Sequence, residues 1–348
     1  MTHPQSRHVR EQALGCAHLG SPMYGELLDR VADDLDAGGP TVAVLRGHEH
    51  DPGPSGLALR LMGSVHRLVL ERRAGALAAF YPSVGGTWHV DGWPVFRQLL
   101  ADEPDAVRSW LDRAPQTNEV GRAAALAAGL LDLGTRFPLP MRLAEIGSSG
   151  GLNLLVDRFR YVDRHGSVGP EDSPVVLDPA WDGGPLPSRM LPEVVERWGS
   201  DPRPVDVRST EGRLALTAYV WPDQVHRLER LRGAFALAEQ VPYVVRRQAA
   251  ADFVDELTVR PGHLTVLWHS VMWQYVAAPQ QARVTARLAE LGRTATADAP
   301  LVHLYAEPTR RRPGEEHRFW VWAQGWPGPG EPVVLGRMAA HGLPVTWE

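Results

Sequence analysis

The stretch RLAEIGSSGGLNLL, residues 142–155, constrains this chain more than any other. An apolar, strand-like run ends in an acid, passes through a cluster of small residues and resumes with the apolar returns of a helix. Such a chain builds a strand, a tight turn and a helix, and the turn admits two uses. As Gly147-x-Ser149-x-Gly151 it spells a nucleophile elbow, with Ser149 on a strained bend between strand and helix. As Glu145-x-Gly147-x-Ser149-x-Gly151 it is a turn that lets backbone approach a nucleotide-like ligand at a helix N-terminus.

What flanks this stretch sets the fold class. Upstream, YGELLDRVADDL, LALRLMGSVHRLVLERRAGALAAF, WPVFRQLLADEPDAVRSWLDRA and NEVGRAAALAAGLLDLG return to apolar residues every three or four positions, between proline and glycine clusters. Downstream, short strand-like runs such as PYVVRRQ, HLTVLWHSV, PLVHLYAEP and RFWVWAQGW alternate with helical stretches such as PQQARVTARLAELGRT. The pattern predicts a helical N-terminal domain over residues 1–136 and an α/β domain over 137–348 with a mostly parallel sheet. In such a sheet, ligands sit at the carboxyl ends of the strands. Residues 158–181 read as an inserted hairpin.

Composition removes several chemistries. All 36 basic residues are arginine, which excludes a Schiff-base lysine, a pyridoxal-phosphate anchor and a phosphate-loop lysine. The single Cys16 excludes an internal disulfide framework and any multi-cysteine metal site. His48 and His50 have too few spaced partners for a metal site, so no metal is expected. A net charge of -5 argues against a nucleic-acid partner. The start MTHPQSRHVREQALG carries no long apolar segment and no later run approaches a bilayer span, so no membrane partner is expected and a cytoplasmic location is.

The order of elements favours the ligand-binding use of the turn, because a hydrolase elbow normally follows several strands, whereas helices precede this one. It also gives Glu145 a use: an acid at a strand's end accepts hydrogen bonds from a ligand's amine or hydroxyls. The pattern E-x-G-x-S-x-G, followed by further parallel-type strands, resembles the first motif of class I S-adenosylmethionine-dependent methyltransferases, with serine in place of the middle glycine. The resemblance covers roughly residues 142–348. It implies a Rossmann-like methyltransferase-type fold, S-adenosylmethionine as cofactor and a small molecule as methyl acceptor. By the same resemblance Glu145, Gly147, Ser149 and Gly151 hold the cofactor, and Asp201 in ERWGSDPRPVD accepts from its ribose. Gln248 and Ala249 in VVRRQAAADFVDEL take the adenine-contacting place. Fifty residues separate Gly151 from Asp201, against about 20 in dinucleotide folds, and the inserted hairpin supplies the difference. Over nearly its full length, through QTNEVGR, EIGSSGGLNLL, VWPDQ and WHSVMWQY, the chain also resembles a bacterial, largely actinobacterial family known as a domain of unknown function.

Three polar constellations complete the candidate site. In PQTNEVGRAAAL, Thr117 or Asn118 reads as a helix cap, while Asn118, Glu119 and Arg122 together could meet a carboxylate of cofactor or substrate. In TVLWHSVMWQYV, His269 at a strand's carboxyl end is the candidate general base, with Trp273 and Gln274 as substrate contacts; the alternative is a histidine satisfied by a neighbouring carbonyl. In LVHLYAEPTRRRPGEE, Glu307 is the next candidate base, and Arg310, Arg311 and Arg312 read as a solvated face or an anion-binding lid. Two other functions stay open: a serine hydrolase using Ser149 with His269 or His341, and a non-catalytic binding protein on the same fold.

Overall fold

The computed structural model describes residues 2–113, 115–312 and 314–348, and the chain divides into two compact units. The first comprises Met1–Thr117 with Ser209–Leu228, the second Asn118–Arg208 with Glu229–Glu348.

The first unit is helical, with α1 (Ser6–His18), α2 (Pro22–Asp36), α3 (Pro40–Val44), α4 (Leu57–Leu70), α5 (Gly75–Ala78), α6 (Gly92–Asp102) and α7 (Pro104–Arg108). Helix α8 (Ala123–Arg136) belongs to the second unit, and α9 (Thr210–Ala218) returns to the first. The expected periodicity is realised as one core in which Leu27, Leu28, Leu61, Val65 and Phe96 are fully buried. Pro22 and the Ser21 hydroxyl, which accepts from the Tyr24 amide, start α2. Asp223 ties the returning segment to that cap by accepting from Ser21 Oγ at 2.6 Å and from the Met23 amide at 3.0 Å.

The second unit is a mixed α/β fold around a large, mostly parallel sheet. Its strands are β1 (Met141–Ile146), β2 (Arg160–Asp163), β3 (Gly166–Val168), β4 (Val176–Leu177), β5 (Trp181–Gly183), β6 (Val194–Asp201), β7 (Val244–Arg247), β8 (Leu264–Ser270), β9 (Leu301–Thr309), β10 (Arg318–Trp326), β11 (Val333–Met338) and β12 (Val345–Trp347). The main sheet runs β5-β12-β11-β10-β9-β8-β1-β6-β7. From β7 to β9 the neighbours are parallel, whereas β9 to β12 form an antiparallel meander. Every residue of β1 is buried, as expected of a central parallel strand, and these include the charged Arg142 and Glu145. Helices α10 (Val225–Gln240), α11 (Ala250–Asp255) and α12 (Ala278–Thr294) complete the chain. Among the described residues no helix is long and apolar enough to cross a membrane.

The second unit begins at Asn118 rather than near residue 137, because α8 is apolar nearly all round and packs against β9, β11 and β12. Gly129 permits that approach: an added Cβ would come within 2.6 Å of the Leu304 side chain. The segment read as an insertion holds a β2–β3 hairpin with β4 parallel to β2, while β5 pairs with β12.

One buried polar group makes the first unit sensitive to acid. His66 on α4 is fully buried, Nδ1 facing the Ala218 carbonyl at 3.0 Å and Nε2 facing Ser83 Oγ at 2.8 Å. Burial pushes its pKa down to about 4. The unfolded chain takes up a proton near pH 6.5 that the folded chain refuses, so stability present above pH 6.5 is lost as pH falls toward 4. From pH 7 to pH 5 this group should remove about 2 kcal/mol. Denaturant titrations at the two pH values should show that part of the loss in the wild type and not in His66→Gln.

Candidate functional site

The stretch at residues 142–155 forms a strand, a turn and a run of 3-10 turns rather than a regular α-helix. Gly147, Ser149 and Gly151 all have positive φ, at 65°, 53° and 74°. Glycine has no Cβ to clash there; Ser149 tolerates the conformation because its backbone is held on both sides. Its amide donates to Asp201 Oδ2 at 3.0 Å and its carbonyl accepts from the Val205 amide at 3.1 Å. Asp201, ending β6, also accepts from the Arg203 amide at 2.8 Å, so it ties the glycine turn to its own loop. Each of its oxygens keeps a further acceptor site.

Packing also requires the two glycines. An added Cβ at Gly147 would meet Met272 at 2.8 Å, and one at Gly151 would meet Tyr243 and Val245 at 2.6 Å. Side chains of the protein therefore lie against the faces that the glycines leave open.

Glu145 lies beneath this turn at the end of β1 and is only 3% exposed. Burial, reinforced by the neighbouring charge of Asp201, pushes its pKa up to about 8; Asn153 and Arg122 oppose the shift. Its Oε2 and the Oδ1 of Asn153 are buried acceptors with no hydrogen-bond partner among the described residues. Asn118 caps no helix, as was expected of it or Thr117; its Oδ1 instead accepts from the Leu152 amide at 3.0 Å. Glu119 is the cap of the turn Val120–Arg122, accepting from the Gly121 amide at 3.1 Å. Arg122 then reaches the Ser270 carbonyl at 3.4 Å, joining the start of α8 to the end of β8.

The end of β8 carries a second buried cluster. His269 is 2% exposed, with Nδ1 at 2.8 Å from Glu307 Oε1 and Nε2 at 3.0 Å from His303 Nε2. Its ring is stacked with Trp273 and with Tyr305. Burial, then the proximity of His269, holds the pKa of His303 well below the usual histidine range, against a hydrogen bond that the ring makes to Gln324. Glu307 Oε1 further accepts from the amides of Met272, at 3.1 Å, and Trp273, at 3.3 Å. Both nitrogens of the candidate base thus face protein groups.

Residues 6–347 match the family described as "Uncharacterized protein conserved in bacteria (DUF2332)". The chain belongs to this family. No curated protein and no solved structure matches it.

In this DUF2332 chain, then, tertiary structure gathers Asn118, Arg122, Glu145, Gly147, Ser149, Gly151 and Asp201 around one turn, while Glu119 faces Gly121 and His341. It brings His269, Trp273 and Glu307 together at the end of β8. Gln248 and Ala249 follow β7: the Gln248 amide donates to the Asp201 carbonyl at 3.1 Å, its side chain bonds Glu256, and Ala249 is the cap position of α11. Gln274 is exposed. Arg311 lies over Trp320 and pairs with Glu348. Sequence reasoning missed Asn153, Met272 and His303. The signal for Asn153 and His303 was a lone polar residue inside an apolar run, in GLNLL and LVHLY; Met272 left none. Among the described residues no group of three or more His, Cys, Asp or Glu could hold a metal ion.

The raised pKa of Glu145 has a thermodynamic consequence. The unfolded chain releases this proton near pH 4.5 and the folded chain only near 8, so the stability Glu145 contributes is full below pH 4.5 and is lost as pH rises through 8. Between pH 5 and pH 8 the loss should be on the order of 3 kcal/mol. Glu145→Gln removes the ionisation, and its denaturation midpoint should fall less than that of the wild type over the same interval.

Proposed function

We propose that this chain is an S-adenosylmethionine-dependent methyltransferase of the class I type, acting on a small molecule. The observation that carries this reading is the partnerless, buried Oε2 of Glu145, placed where the strand order turns back on itself. From β1 the chain proceeds outward to β6 and β7, then returns to add β8 and β9 on the other side of β1. The crevice outside the carboxyl ends at such a reversal is the preferred ligand position of open α/β sheets.

The donor set fits the cofactor. Glu145 and Asn153 offer acceptors to a ligand that brings hydrogen-bond donors or positive charge, and a positively charged ligand would favour the ionised form of Glu145. The remaining acceptor sites of Asp201 suit hydroxyl groups, and Arg122 suits a carboxylate. When bound, the cofactor's sulfonium supplies an activated methyl group, so the chain's own task is chiefly to align acceptor and donor and to exclude water. With both ring nitrogens engaged, His269 serves this site through Glu307 rather than by facing an acceptor.

The positive φ of Ser149 favours a second reading, the serine hydrolase, and two measurements separate the readings. Calorimetry should show S-adenosylhomocysteine binding to the wild type and a 10- to 100-fold weaker dissociation constant for Glu145→Ala, about 1.5 to 3 kcal/mol for a buried charged acceptor. A fluorophosphonate probe should leave Ser149 unlabelled. Labelling of Ser149 in a protein that does not bind S-adenosylhomocysteine would reverse the assignment.

A further inference from the structure

The segment from Val271 to Val276 covers the glycine turn, and its construction differs from that of the strand it follows. Strand β8 is buried from Leu264 to His269, but none of Trp273, Gln274 and Tyr275 is buried, and Tyr275 is 70% exposed. Met272 and Trp273 pack against the core while remaining partly exposed. Two side chains add hydrogen bonds to the segment's backbone. Glu307 Oε1 accepts from the Met272 amide at 3.1 Å and the Trp273 amide at 3.3 Å, and Gln281 Nε2 donates to the carbonyls of Trp273 at 2.8 Å and Val276 at 3.0 Å.

Val271 marks the boundary. Its φ is 51°, a left-handed conformation that a β-branched side chain adopts only under strain. Its amide still bonds the Ala306 carbonyl at 3.0 Å, so β8 stays paired with β9 up to this residue. Immediately beyond it, the Met272 side chain lies over Gly147, with Cγ and Cε each 2.8 Å from where a Cβ would stand. An unbranched thioether fills such a gap and is easily repacked.

We infer that Met272 is the gate of the glycine-turn site, that Glu307 and Gln281 are its latches, and that Val271 is its hinge. His269 and Trp273 belong to the latch: the imidazole holds Glu307 at 2.8 Å, and the indole stacks on the imidazole. Opening breaks the two amide bonds to Glu307, releases the strained φ of Val271 and withdraws Met272 from Gly147, exposing the face of the turn next to Glu145. The inference rests on the methyl-transfer reading only for the identity of the ligand that enters.

Amide hydrogen exchange on the full-length protein tests the gate without any ligand. The amides of Met272 and Trp273 should exchange at least a hundredfold faster than that of Leu267 in the same strand. Glu307→Gln should accelerate them about tenfold more; if that variant does not fold, Gln281→Ala tests the second latch in its place, with the same acceleration expected. Met272→Ala should raise the association rate of S-adenosylhomocysteine about tenfold in stopped-flow mixing. Exchange of Met272 and Trp273 no faster than that of Leu267 overturns the gate, as does an association rate unchanged by Met272→Ala. Rapid exchange with no binding of S-adenosylhomocysteine to either protein would instead uphold the gate and refute the choice of cofactor.

Discussion

Strand β1 is flanked by β6 and β8, and all six of its residues are buried. Its apolar residues meet that condition without cost and Arg142 is paired with Glu196, but Glu145 near the strand's end brings a carboxyl group into the same interior. Water is excluded on both faces of the sheet, so the group is driven toward its neutral form, and the polar groups around it are arranged in response. Asn153 and Arg122 face it from the run after the turn and from the start of α8, while Asp201 adds a like charge from β6. A structure organised only for stability would have placed an apolar residue there.

The turn above Glu145 is held from three directions. Asp201 and Ser200 bind it from β6, Asn118 binds it from the segment before α8, and Met272 with Tyr243 packs on its two glycine faces. Its left-handed residues persist because these contacts over-determine them. The polar cluster at the end of β8 is built differently. Glu307, His269 and His303 bond one another in a row, and the His269 ring stacks with Trp273 and with Tyr305. Glu307 passes this rigidity on to the segment that covers the turn. Each cluster keeps one carboxylate oxygen without a partner among the described residues, Oε2 of Glu145 and Oε2 of Glu307, but only Glu307 has its other oxygen committed to backbone amides, those of Met272 and Trp273, which makes it a positioning group.

Much of this was legible in the chain. The strands of the parallel half and the helices of the first unit follow from apolar periodicity, because period 2 and period 3.6 are local properties. The glycine turn and the acid before it were legible because small residues between an acid-ended strand and an apolar-periodic run are a local signal, whereas Asp201 was pointed to only by the resemblance. The membership of α8 was not legible. Its apolar residues reach nearly all the way round, and such a helix packs wherever a buried slot exists, which only the sheet provides. For the same reason residues 209–228 gave no sign that they leave the α/β unit.

By itself the sequence determined an α/β chain with a glycine turn after its first central strand, an acid beneath that turn, and the absence of lysine and paired-cysteine chemistry. The tertiary structure alone decided which groups were left over. Residues 34 to 125 positions apart, such as Glu307 against His269 and Asp201, Asn118 and Met272 against the glycine turn, meet only through strand pairing and packing. Whether a polar atom is satisfied depends on those meetings. The free oxygen of Glu145 and the occupied nitrogens of His269 are therefore properties of the fold, which no local pattern encodes.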